Sequence, residues 1–316
     1  MHSKVSILIP VYNREAIIAE TIQSALDQSY NNIEIVLMDN ASTDDTWVVI
    51  EKFAAKDTRI KAFRNETNLG PVRNWLRCLE EATGDYGKIL WSDDLIAPSF
   101  IEKTLPLFNS DVGFVYTATK IFEGDNPEKG KLFYHFGDTG QYKSDTYIQK
   151  AIYNKDVPVS PGCAIFRMKD IRENLWLQIP NKVNSDFTMH AIGNDLLLFL
   201  LTANQYKYFG HVAEPLSFFR AHEGSISISS TSGKLPLHYA LARAYFVENY
   251  RPKDKACFAA YVQFLLWRYK DSKGYRLVSI DDFFQTDVNS SKLCVVKQLV
   301  GKVIRLPMRQ LKKMIS

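Results

Sequence analysis

The sequence predicts an α/β protein with a mainly parallel central sheet flanked by helices, followed by a C-terminal helical extension. Three observations carry this prediction. The first hundred residues alternate short β-rich apolar runs with segments of helical periodicity. Acidic side chains fall where two of those runs end. The alternation fades beyond about residue 110, and the chain after 235 is mostly helical in pattern. Alternation at this spacing implies parallel strands joined by right-handed crossovers.

The elements follow in order. Val5–Val11 is a β-rich run closed by Pro10 and the turn former Asn13, and residues 15–28 place Ile18, Ile22 and Ala25/Leu26 at helical spacing. Glu34–Met38 is a second apolar run, ending on Asp39. Ser42 with Asp45 three positions on predicts a capping box that opens a helix through Trp47, Ile50 and Phe53. Arg59–Arg64 is the third expected strand, Val72–Ala82 the third helix and Lys88–Trp91 the fourth strand. Residues 124–140, rich in Gly, Pro, Asp and Lys, predict a loop or hairpin, and 187–203 look helical, with Asp195 just before the apolar run Leu196–Leu201. In open sheets of this kind ligands sit beyond the carboxyl ends of the strands. Asp39, Asp93 and Asp94 are therefore expected on the binding edge.

Composition narrows the function classes. Seven Lys/Arg and no acid lie in 292–316, so the first 291 residues sum to −3 despite a net charge of +4. The basic excess belongs to the tail, and no nucleic-acid partner is expected. Cys78, Cys163, Cys257 and Cys294 show no metal or disulfide spacing, which predicts neither zinc nor a disulfide framework and suits a reducing cytosol. The N-terminus runs straight into a strand without a leader pattern, and no apolar run is long enough to span a bilayer. A cytoplasmic location is expected, in solution or on the inner face of the cytoplasmic membrane.

An Asp-Asp pair alone reads as a turn cap. Its surroundings give it more meaning. Val5-Ser6-Ile7-Leu8-Ile9-Pro10-Val11-Tyr12-Asn13, then Glu34-Ile35-Val36-Leu37-Met38-Asp39-Asn40-Ala41-Ser42-Thr43-Asp44, resembles the "SIIIPxYN" and "EIIVVDDGSTD" opening of the inverting family 2 glycosyltransferases. Asn68-Leu69-Gly70-Pro71-Val72-Arg73-Asn74 is similar to their "NxGxxxxRN" region. Trp91-Ser92-Asp93-Asp94, with Pro98 beyond, is similar to their "DxDDxxxP" segment. The order and spacing hold over about a hundred residues.

The resemblance implies a GT-A fold in residues 1–235, with a nucleotide-binding half (1–110) and an acceptor half (111–235), and a helical region in 236–316. It implies transfer of a sugar from a nucleoside diphosphate, a UDP-sugar favoured, to a glycan or lipid-linked glycan, as in bacterial O-antigen and capsule synthesis. Asp39 would bind the base, with Pro10 and Tyr12 beside it and Asn68 and Gly70 lining the nucleotide. Arg73 would approach the diphosphate. Asp93 would serve the ribose, and Asp93 and Asp94 would hold Mg²⁺ or Mn²⁺. Trp91 stands where the family's first acid usually lies, and Asn40 where its second base-side acid lies. Phe219-Arg220-Ala221-His222 resembles a "YRxHxxSxS" segment that would bring Arg220 to the diphosphate and His222 to the metal. His222 reads equally as a structural histidine. Asp195 resembles the late acidic motif and would be the general base; Asp186 is its rival, and Asp195 also reads as an ordinary helix N-terminal acid. Ser160-Pro161-Gly162-Cys163-Ala164 resembles an acceptor-lining strand, in which Gly162 would let substrate approach the backbone.

The tail places Val296, Leu299/Val300 and Val303/Ile304 on one helical stripe among basic residues. This pattern fits contact with an anionic membrane through 292–316, or a helix packed on its own domain. Two other functions are weighed against the transferase. A nucleotidyltransferase would need a glycine-rich phosphate loop after strand one, which Pro10–Arg14 lacks. A catalytically silent nucleotide-sugar-binding subunit would not need Asp195 or His222.

Overall fold

The computed structural model of the chain describes residues 3–222 and 232–288. The described residues form two compact units, one of 3–179 with 186–222 and the other of 180–185 with 232–288.

The first unit is built on one sheet. Strands β1 (Val5–Val11), β2 (Ile33–Asp39), β3 (Ile60–Arg64) and β4 (Tyr86–Ile89) pair in parallel in the order β3-β2-β1-β4. Helices α1 (Ile18–Leu26), α2 (Thr46–Ala54) and α3 (Pro71–Glu81) make the crossovers between them. β1 and β2 are buried at every position, the run of apolar residues expected for a parallel strand covered on both faces. The two-residue β5 (Leu95–Ile96) and helix α4 (Phe100–Thr104) follow.

Beyond β4 the sheet becomes mixed. β6 (Val112–Phe122) and β9 (Ala164–Arg167) continue it antiparallel, then β10 (Tyr208–Arg220) runs parallel to β6, with β5 on its far edge. β7 (Lys131–Phe133) and β8 (Gly140–Lys143) add antiparallel pairings to β6 and β10, so the 124–140 segment contains hairpin strands. Helices α5 (Ser144–Ile152), α6 (Met168–Asn174), α7 (Phe187–His190) and α8 (Asn194–Gln205) accompany this half. Its core is aromatic: Phe114 has the rings of Tyr147, Phe166, Phe199 and Phe209 within 4.9–5.7 Å. Much of the chain's aromatic content is thus spent on packing.

Three local expectations are corrected. The Ser42/Asp45 capping box does not form: Asp45 is the N-cap of α2, without a side-chain cap bond, and Ser42 Oγ donates to the buried Asp39 instead. The helical stretch expected over 187–203 is interrupted, forming α7 and α8 on either side of a break where Ala191 (φ 57°) and Gly193 (φ 123°) turn left-handed. Cys257 is disulfide-bonded, whereas Cys78 and Cys163 are free and buried; sequence spacing carries no signal for a bond between distant cysteines.

The second unit contains α9 (Lys234–Tyr250), α10 (Lys255–Arg268) and a 3₁₀ segment, Lys270–Tyr275. No helix among the described residues is long and apolar enough to cross a membrane. The basic tail at 292–316 lies outside the described residues.

Glu34 fastens the amino-terminal end of the parallel strands. Only 2% exposed, it accepts hydrogen bonds from Ser6 on β1 (2.7 Å) and from the Thr83 N–H before β4 (2.6 Å). Lys4 and Lys61 each approach its carboxylate at 2.7 Å. Burial alone would raise its pKa, but these bonds together hold it well below the usual range. A depressed carboxylate stabilises the fold above its unfolded pKa, near 4.3, and that stability is lost as pH falls through the folded value. Glu34→Gln is therefore expected to cost about 2 kcal/mol at pH 7. In urea melts the gap to the parent should narrow steadily below about pH 4; an equal gap at both ends would count against this account.

Candidate active site

The register of the parallel strands assembles the site. Val11 pairs with Asp39, and Asp39 with Arg64, so three strands end side by side. Asp39 is fully buried. Its carboxylate accepts from Ser42 Oγ and from the Ser42 N–H (3.1 Å), and Arg64 Nε lies 3.1 Å away. Arg64 also donates to the Ser42 carbonyl at 2.8 Å. The turn after β1 docks against the same loop: the Asn13 N–H donates to Ser42 Oγ (2.9 Å), and Asn13 Oδ1 accepts from the Thr43 N–H (2.9 Å). Pro10 is buried in the strand opposite Met38, while Tyr12 is exposed at the edge.

Asn40 explains its own identity. Its amide donates to Asn68 Oδ1 (2.9 Å) and the Gly70 carbonyl (3.3 Å), and its oxygen accepts from Asn65 Nδ2 (3.0 Å) and the Leu69 N–H (2.9 Å). An aspartate offers no donor for the first two. Gly70 adopts φ 82°, and a Cβ there would meet Met189 Sδ at 2.8 Å, so the 65–70 loop needs both residues. Arg73, exposed on α3, donates to Thr188 Oγ1 (3.1 Å), which donates to Asp186 Oδ1 (2.6 Å). Asp186 is the N-cap of α7, and its bonds to Thr188 hold its pKa below the usual value.

The turn after β4 holds the acidic pair. His222 Nε2 lies 2.9 Å and Arg14 Nη2 3.6 Å from Asp93 Oδ2. Arg14 Nε is buried without a hydrogen-bond partner. Asp94 is buried and accepts the Arg220 N–H at 3.0 Å, but no ion pair reaches it among the described residues. Burial first, and the neighbouring Asp93 charge second, push Asp94 well above the ordinary carboxylate range. The Arg220 guanidinium is occupied: it reaches Glu20 Oε2 (2.5 Å), the Gly124 carbonyl (2.9 Å) and the Asp93 carbonyl (3.3 Å), over the Phe122 ring. Asp93, Asp94 and His222 carry oxygen and nitrogen atoms of the kinds that divalent cations bind. Among the described residues, however, no three His, Cys, Asp or Glu side chains are gathered closely enough to hold a metal ion by themselves.

Beneath the pair lies Lys88, fully buried. It donates to the Ile89 carbonyl (3.0 Å) and the Gly162 carbonyl, with Phe100 4.7 Å away. Burial brings its pKa down to about 7, against the opposing pull of Cys163 and Asp94. Trp91 donates to Ser160 Oγ (2.7 Å) and packs on Trp75, ring centroids 4.8 Å apart. Gly162 is buried, and a Cβ on it would meet Trp91 at 2.9 Å and Phe219 at 3.0 Å. The expectation that Gly162 admits substrate is thus corrected: its missing side chain makes room for two aromatic rings. Asp195 lies in the first turn of α8, where its Oδ1 accepts the N–H groups of Gly193 (3.0 Å) and Leu196 (2.8 Å).

The sequence reading missed Arg14, Arg64 and Lys88. Arg64 carried a usable signal, as the charged end of the strand that neighbours β2. Lys88 carried none, because a lysine in a short strand looks solvent-facing until the sheet order is known.

With this geometry in place, comparison with known proteins assigns the family. The glycosyl transferase family 2 profile matches residues 6–175, more than half of the chain. The chain belongs to glycosyl transferase family 2. A Haemophilus influenzae protein described as an uncharacterized glycosyltransferase is 46% identical over 101 residues, 32% of this chain and 40% of that protein. A Campylobacter jejuni relative, GalNAc(5)-diNAcBac-PP-undecaprenol beta-1,3-glucosyltransferase, is 25% identical over 281 residues, 86% of this chain and 85% of its own. The first of these matches therefore spans less than half the relative's length. S. aureus TarS 1-349, solved in complex with UDP-GlcNAc, superposes with a TM-score of 0.61 at 19% identity, covering 87% of this chain and 75% of that one. The fold is of the GT-A type.

Gly162→Ala is expected to destabilise the protein by about 1–3 kcal/mol through overpacking. It should also loosen the Trp91–Asp94 turn. Thermal melts and Trp fluorescence would check this, and a parent-like melting point would contradict the packing role.

Proposed function

We propose that this family 2 protein transfers a sugar, with inversion, from a nucleoside diphosphate to a hydroxyl of a glycan or lipid-linked glycan. UDP-sugars are the favoured donors, and surface-polysaccharide assembly such as O-antigen or capsule synthesis is the favoured setting. One observation carries the reading. Asp94 is buried beside Asp93 at the carboxyl edge of parallel strands, without an ion pair among the described residues. A cation bridging this pair to a diphosphate would relieve that repulsion. The glucosyltransferase and UDP-GlcNAc in the names of the relatives lend support.

In this reading Asp39 receives the base, with Tyr12 and Pro10 at its flank and the Asn68–Gly70 loop beside the nucleotide. Arg14, with its unpartnered Nε, and Arg73 are placed to meet phosphate oxygens; Arg220 acts by holding the Asp93–Asp94 turn. Asp93, Asp94 and His222 would hold Mg²⁺ or Mn²⁺, which when bound neutralises charge developing on the leaving diphosphate. Asp195 takes the acceptor hydroxyl proton as its oxygen bonds to the anomeric carbon and the bond to the diphosphate breaks on the opposite face. The backbone N–H groups on its Oδ1 fix the carboxylate's orientation. A cytoplasmic protein touching the inner membrane face through 292–316 fits a lipid-linked acceptor.

Asp94→Asn should abolish transfer and weaken Mn²⁺-dependent donor binding more than about 100-fold, beyond the loss typical of outer-shell partners. Because the folded state raises the Asp94 pKa, the neutral variant should melt no lower than the parent in metal-free buffer above pH 5. Radiolabelled-donor turnover and calorimetry read both effects. Retained turnover would remove the site assignment.

A further inference from the structure

The second unit carries a surface segment that the transferase chemistry does not use. Residues 267–278 run from the end of α10 through the 3₁₀ segment. Within them Trp267 is 50% and Val278 61% exposed, large apolar groups left facing solvent. Arg268, Lys270, Lys273 and Arg276 are exposed as well, and none is ion-paired among the described residues. Two basic residues elsewhere in the unit do find acids: Lys255 binds Glu248 at 2.8 Å, and Arg251 lies 3.5 Å from Asp254. The segment's one acid, Asp271, is turned to the Gly233 N–H at 2.9 Å. Lys270 and Lys273 are three apart in a helix of three residues per turn and so share a face. Arg276, three further on, closes the segment with φ 61°.

We infer that residues 267–278 form a docking face for an anionic lipid bilayer. Indole rings favour the headgroup boundary, where an apolar body and a polar N–H are both satisfied. Unpaired lysines and arginines beside such a ring complement anionic headgroups, each contributing roughly a fivefold gain in binding. A nucleic acid or soluble polyanion would use the same charges but has no need of exposed Trp267 and Val278 on either side of them. The face lies within the described residues and includes none of the residues 292–316. It does not depend on which donor the active site takes.

Flotation of the full chain with vesicles of phosphatidylglycerol and phosphatidylcholine tests the assignment. The triple variant Lys270→Glu/Lys273→Glu/Arg276→Glu should bind about 100-fold more weakly, and Trp267→Ala several-fold more weakly. Both variants should keep the parent's melting curve and donor hydrolysis, so that loss of docking is distinguishable from loss of the active site. Trp fluorescence of the parent should shift to the blue on vesicle addition, and the shift should vanish in Trp267→Ala. Parent-like flotation of the triple variant, with binding lost only on truncation after Ser291, would overturn the inference in favour of the tail. Equal binding to soluble polyphosphate and to vesicles, without a Trp267-dependent shift, would overturn it in favour of a polyanion.

Discussion

The pairing register of β2 decides where chemistry is possible in this molecule. It sets Asp39 between Val11 and Arg64, so that the turn leaving β1 and the arginine ending β3 converge on one buried carboxylate. A slip of one residue would send every β2 side chain to the opposite face. Glu34, at the other end of the same strand, resists that slip because its partners come from β1, β3 and the segment before β4. One strand thus separates its duties: a clamp at its amino end and the candidate base-binding acid at its carboxyl end.

The acids of the donor edge are compensated unequally. Asp39 has Arg64 and two Ser42 donors, and Asp93 has His222 and Arg14. Asp94 has a backbone N–H and the buried Lys88 charge in its vicinity, but no ion pair among the described residues. Asp94 is thus the acid whose electrostatic cost is least relieved, and a cation, if bound as proposed, would gain most there. Sites that keep such a cost commonly do so because a ligand later offsets it.

Much of this was legible in the sequence, for definable reasons. The parallel strands showed because residues buried on both faces read as apolar runs, and Asp39 showed because it ends one of them. Pairings that depend on register or distant packing did not show. Arg64 became meaningful only opposite Asp39, and Lys88 only beneath Gly162. The Ser42/Asp45 pattern failed because a buried carboxylate next to Ser42 competes for its hydroxyl more strongly than a helix end does. The break between α7 and α8 was hidden because apolar periodicity runs through it, with Gly193 its only mark. Gly162 was noticed for the right property, its missing side chain, but two aromatic rings occupy the space.

Trp91 raises the question of what replaces the acid usually found at its position. Its indole ties the turn to Ser160 and fills the space above Gly162, whose carbonyl in turn receives the buried Lys88. The turn is therefore held by packing and neutral hydrogen bonds where a third carboxylate would have added charge. Since burial, and after it the Asp93 charge, already drive Asp94 well above its ordinary pKa, a third carboxylate beside the pair would need still more compensation. An arrangement of two acids, an imidazole and a rigid aromatic support keeps the pair positioned without that cost. Under the proposed function, a cation held by so few side chains would depend on the diphosphate for the rest of its shell, so that metal and donor should bind as partners, each weak without the other.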